Sequence, residues 1–82
     1  VMLDCSKSGI GLQISEGLPF GKEVVLHVKA ASEGVDWSTG ATVRWCRPRG
    51  LAWVCGCQFA HELAWERLGE LMMSGMLVVE RV

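Results

Sequence analysis

Between Leu51 and Ala60 the chain alternates without a break, and Leu51, Trp53, Cys55, Cys57 and Phe59 fall on one face. A period of two lays an apolar row along one side of an extended strand; a helical stripe needs apolar residues at every third or fourth position instead. Free Cys packs as a small hydrophobe, so the two thiols belong to that row. Gly56 falls on the other face and marks a place where another backbone or side chain packs closely. The fold must therefore supply a sheet, and a core for this row to face.

The same period recurs upstream. Ile10, Leu12 and Ile14 alternate with Gly11, Gln13 and Ser15, which predicts a half-buried strand. Residues 16–22 hold Gly17, Pro19 and Gly21 and read as a loop. In residues 23–30, Val24, Leu26 and Val28 oppose Val25, His27 and Lys29, a second clear strand. Residues 31–40 are polar and punctuated, which predicts a hairpin loop with strand character near Val35 and Trp37. Residues 41–46 alternate again, with Val43 and Trp45 on one face, and residues 47–50 turn the chain. Residues 1–3 look like the end of a strand.

After residue 61 the period changes. Trp65, Leu68, Leu71, Met72, Gly75 and Met76 recur at helical spacing from residue 62 to about 74. Glu62 and Glu66 suit the positive end of a helix, and Gly75 is a candidate stop. Residues 76–82 fit a helical extension or an exposed strand equally well. Short strands followed by one amphipathic helix predict a mainly β fold: a small antiparallel barrel or sandwich closed by a C-terminal helix.

Size and charge narrow the function. The 82 residues make one domain that buries roughly 60 to 65% of its unfolded surface. A net charge of −1 gives no general pull toward nucleic acid or acidic membranes, and no apolar run approaches the ~20 residues of a membrane span. There is no charged-then-apolar leader. Cys46, Cys55, Cys57 and His61 lack zinc-ligand spacing, so Cys5, Cys46, Cys55 and Cys57 read as core thiols in a reducing cytoplasm. No nucleophile–base or carboxylate pair stands out, so neither catalysis nor a metal is expected. Trp45, Trp53 and Trp65 fall on inferred core faces, which leaves Trp37 as the candidate contact residue. Arg44, Arg47 and Arg49 read as a solvated hairpin tip.

One polar stretch remains: Asp4-Cys5-Ser6-Lys7-Ser8-Gly9, running straight into the first alternating strand. Asp and Ser fold back onto nearby backbone in turns, and Gly lets something approach closely. A carboxylate can accept from the adjacent N–H groups of a guanine edge, and a hydroxyl can serve a base or a phosphate.

The turn becomes more specific when the downstream order is added to it. Asp4-x-Ser6-x-x-Gly9 precedes the Leu18-Pro19-Phe20-Gly21-Lys22-Glu23-Val24 loop, the Val24–Val28 strand, Ala41-Thr42-Val43-Arg44-Trp45, a long strand ending Gly56-Cys57-Gln58-Phe59, and a helix. The order resembles the PilZ domain, the bacterial cyclic di-GMP receptor module, over roughly residues 2–74 of a single domain covering 1–82. The resemblance implies a six-stranded antiparallel β-barrel with a C-terminal helix and no catalysis. It implies that Asp4, Ser6 and Gly9 bind cyclic di-GMP, with no other cofactor. It also implies a cytoplasmic bacterial signalling module acting on a partner protein or a fused effector domain, without DNA or RNA.

Two departures qualify it. Such domains carry an upstream Arg-x-x-x-Arg arm, and no pair of arginines in this chain has that spacing. The first barrel strand also reads as truncated, which leaves an open edge suited to homo-oligomerisation. The alternative function is therefore a degenerate PilZ-like domain that binds protein rather than the dinucleotide.

Overall fold

The structure, a computed structural model, describes residues 2–30, 34–73 and 76–82. Six strands and one helix follow in order: β1 (Met2–Cys5), β2 (Gly9–Ile14), β3 (Glu23–Ala30), β4 (Val35–Arg49), β5 (Ala52–Phe59), α1 (Trp65–Met73) and β6 (Met76–Arg81). They form one antiparallel sheet in the order β1-β2-β5-β4-β3-β6. The mainly β, antiparallel reading with a single late helix therefore holds. β1 and β6 are the two edges, so among the described residues the sheet is not hydrogen-bonded into a closed barrel.

The apolar rows found by alternation build the core. Ile10 and Leu12 of β2, Val24, Leu26 and Val28 of β3, and Cys55, Cys57 and Phe59 of β5 are all buried. Ala41 and Val43 of β4, Leu18, Leu63 and Leu71 complete it. Burying each large aliphatic or aromatic side chain is worth about 1.5–3 kcal/mol, so the sheet's inner face carries most of the stability.

β4 departs most from the sequence reading. It runs for 15 residues, where alternation predicted a loop to residue 40 and a turn at 47–50. Its first half pairs with β3 through Val35–Thr42 and its second half with β5 through Ala41–Arg49. Ser38, Thr39 and Gly40 are strand because β3 supplies backbone partners for them. Pro48 is tolerated because that half has no strand partner on its other side among the described residues. The turn shrinks to Gly50-Leu51, with Gly50 at φ 63°, the positive φ that a tight hairpin needs. Residues 31–33 of the predicted loop lie outside the described residues.

The helix is shorter than its periodicity suggested, starting at Trp65 rather than residue 62. It packs against β3 and buries only Leu71, while Trp65 is 72% exposed, with Met72 and Met73 also in solvent. Trp65 is thus not a core residue; the Lys7 ammonium sits 4.9 Å from its ring centroid. The expected helix end at Ser74 and Gly75 lies outside the described residues. Of the two readings for residues 76–82, the strand is the observed one, since β6 pairs with β3 from Val24 to Lys29.

The cysteines also divide differently. Cys46 and Cys55 are direct cross-strand partners, Cα–Cα 4.1 Å, and are joined by a disulfide, so they are not the free thiols expected. Sequence alternation could not reveal this, because the pairing depends on the register between β4 and β5. Cys5 and Cys57 remain free.

Candidate site on the outer face of the sheet

The turn between β1 and β2 is built by short-range bonds. Ser6 N–H donates to the Gly9 carbonyl at 2.9 Å, closing a tight hairpin about Lys7-Ser8. The turn is then tied to the rest of the chain: Phe59 N–H donates to the Ser8 carbonyl and Leu63 N–H to the Lys7 carbonyl, both at 2.9 Å. This fixes the start of β2 against the end of β5.

Cross-strand register sets what lies beside it. Asp4 of β1 pairs with Gly11 of β2, Gly11 with Gly56 of β5, and Gly56 with Trp45 of β4. One row across four strands therefore reads Asp4, Gly11, Gly56, Trp45, on the face opposite the core. The two inner positions have no side chain, and the two outer ones fold in over them. A Cβ at Gly11 would overlap the Asp4 carboxylate, and one at Gly56 would overlap the Trp45 indole. Gly9 lies against the Cys57 carbonyl, 2.7 Å from where its own Cβ would stand. Glycine serves close approach here rather than backbone freedom: at Gly9 the neighbour is backbone and at Gly56 a ring, whereas at Gly11 it is the mobile end of the Asp4 side chain.

The result is an open depression of about 360 Å³, within the range of small-molecule sites. Asp4 and Gly9, both predicted from sequence, line it together. Ser6 does not; its Oγ lies 3.3 Å from the Ser8 Oγ, and Ser8 is the hydroxyl that lines the depression. Asp4 has neither ion pair nor hydrogen bond from its side chain to a described residue. Behind it, the Cys5 thiol is pushed above its ordinary value by burial first and by the Asp4 charge second. It stays neutral and adds no negative charge.

Arg44, Trp45 and Gln58 complete the walls, and sequence reasoning missed all three. The cause is a β-bulge in β4. Register shifts between Val43 and Trp45, so Arg44 is the extra residue and Trp45 leaves the face on which Val43 is buried. Trp45 is 42% exposed on the outer face rather than in the core. Arg44 donates from Nε to the Gln58 Oε1 at 2.8 Å. Arg44 is therefore a wall of this depression and not a hairpin tip, and Arg47 and Arg49 are strand residues on the same outer face. Trp37, the candidate contact residue expected in a loop, is instead a β4 residue half-buried against the core under the Arg67 guanidinium. The one legible signal was Gly56, whose closely packed neighbour is Trp45.

A larger depression, about 470 Å³, lies between the end of β2 and β6. It is lined largely by aliphatic residues such as Ile14, Leu18, Leu77 and Val79, and the Arg81–Glu16 ion pair crosses it at 2.5 Å. Size alone favours it. Its chemistry does not, because its charges already neutralise each other and none of the residues predicted from sequence to bind lines it.

The chain belongs to the PilZ domain family, whose family model matches residues 1–73. The span agrees with the resemblance read from the sequence over 2–74. PilZ domains are ligand-binding regulatory modules rather than enzymes, and cyclic di-GMP is the ligand that the family implies. Neither a comparison with curated proteins nor one with solved structures gave a significant match.

Proposed function

We propose that residues 1–82 form a single cyclic di-GMP-responsive PilZ domain that binds the dinucleotide in the outer-face groove and passes the signal to a partner protein or a fused effector domain. We place it, on family grounds, in the bacterial cytoplasm, with no catalytic role and no other cofactor. The observation that carries the reading is the convergence of Asp4 and Gly9 on one depression beside the Arg44 guanidinium. The Asp4 carboxylate accepts the N–H pair of a guanine edge, a charge-assisted contact. Gly9 and Gly11 let the base lie close to the backbone. Ser8 lines the groove and supplies the hydroxyl, and Ser6, whose Oγ lies 3.3 Å from that of Ser8, acts through it.

Calorimetry tests this. Wild type should release heat on titration with cyclic di-GMP, and Asp4→Ala should bind at least about tenfold more weakly, as expected for losing a charged hydrogen-bond partner. Absence of heat at high micromolar ligand would sink the reading and leave the protein-binding alternative.

A further inference from the structure

The groove holds one carboxylate, yet a cyclic dinucleotide brings two phosphates and two bases. The bulge in β4 answers that mismatch. Beyond it, Trp45, Arg47 and Arg49 pair with Gly56, Val54 and Ala52 and alternate on the outer face, while Arg44 joins them as the extra residue. One strand thus presents three guanidinium groups and an indole on the face of the sheet that carries Asp4, with Arg44 and Trp45 in the Asp4 groove itself. None of the three arginines is in an ion pair with a described residue, whereas Lys7, Arg67 and Arg81 each are.

Trp45 also stands between two depressions. On one side is the groove with Asp4 and Gly9; on the other is a hollow of about 300 Å³ lined by Arg47, Pro48, Arg49 and Val54. The Arg47 guanidinium lies 4.8 Å from the Trp45 ring centroid, a stacked cation–aromatic pair. Aromatic rings and planar guanidinium groups are the platforms on which nucleobases stack, and guanidinium forks match phosphate geometry.

We propose that the β4 bulge supplies the aromatic and cationic half of the nucleotide site: Trp45, backed by Arg47, is the stacking wall for a guanine base, and Arg44, Arg47 and Arg49 are the phosphate-facing cations. This rests on the reading of the groove as a cyclic di-GMP site and locates its positive charge on the sheet itself. The Cys46–Cys55 pair lies one register step from Trp45 and Gly56.

The test titrates the 82-residue chain with cyclic di-GMP and, separately, with guanosine monophosphate, following tryptophan fluorescence and heat. Trp45→Ala should weaken cyclic di-GMP by about tenfold or more, within what base stacking supplies, and Trp45→Phe should recover most of that loss. The double variant Arg47→Glu, Arg49→Glu, altered only at exposed positions, should bind at least about tenfold more weakly and flatten the salt dependence. It also stands in if Trp45→Ala fails to fold. Wild-type affinity in Trp45→Ala, or in the double variant, overturns the wall while leaving the dinucleotide reading intact. Binding of guanosine monophosphate that depends on Trp45, without binding of cyclic di-GMP, supports the wall and overturns the dinucleotide. Binding of neither nucleotide overturns both.

Discussion

Asp4 and Trp45 face each other across two glycines. Three strand spacings separate their backbones, roughly 14 Å at ~4.8 Å per strand, and both side chains lean inward over Gly11 and Gly56. The site is thus a property of register: shifting any of the four strands by one residue would turn its contribution toward the core.

The contact at Gly56 can be tested by filling it. Gly56→Val should displace the Trp45 ring and destabilise the chain by about 1–3 kcal/mol, the usual cost of overpacking. Urea unfolding checks this. Adding Trp45→Ala should return part of the loss, because the two changes share one contact. Additive effects would contradict the packing.

The contact at Gly11 should separate binding from stability. Asp4 is exposed and its carboxylate is free to swing, so Gly11→Ala should change the melting temperature little. It should also push Asp4 from its place and weaken cyclic di-GMP by about tenfold, since a charged hydrogen bond is worth roughly 1.5–3 kcal/mol. Wild-type affinity in this variant would remove Asp4 from the site.

These positions show what alternation can and cannot reveal. Val24, Leu26 and Val28 and the Cys55–Phe59 row were legible because one face stays buried along those stretches, although Leu51, read into the same row, is fully exposed in the turn. Trp45 was not, because one extra residue at Arg44 reverses the phase and leaves no local mark. Asp4 and Gly9 were legible as turn chemistry, yet Gly11 looked like any glycine in a strand until Asp4 was seen above it. The first half of β4 was hidden by its polar Ser38 and Thr39, whose strand state comes from pairing with β3.

Thiol counting tests the cysteine assignment. Purified in air and unfolded without reductant, the chain should show two reactive thiols, Cys5 and Cys57, because Cys46 and Cys55 are paired. Prior treatment with excess dithiol should raise the count to the full four cysteines of the chain. Four thiols without reductant would contradict the pairing.

Alkaline pH should loosen the fold. Burial holds the Cys57 thiol above its ordinary value of 9.0, so the folded chain keeps a proton that the unfolded chain releases. That contribution is complete below the unfolded-state value and is lost as pH rises through the folded one. Melting temperature should therefore decline from about pH 9 upward, and Cys57→Ala should decline less steeply. Equal slopes would remove Cys57 as the cause.

The central claim is that the outer-face row is where the nucleotide sits. Amide shift mapping of the isotope-labelled chain with cyclic di-GMP tests it most directly. The expected shifts gather at Asp4, Gly9, Gly11, Gly56 and Gln58, together with the Trp45 indole N–H. Shifts confined to Gln13–Glu16 and β6, or none at all, would contradict it.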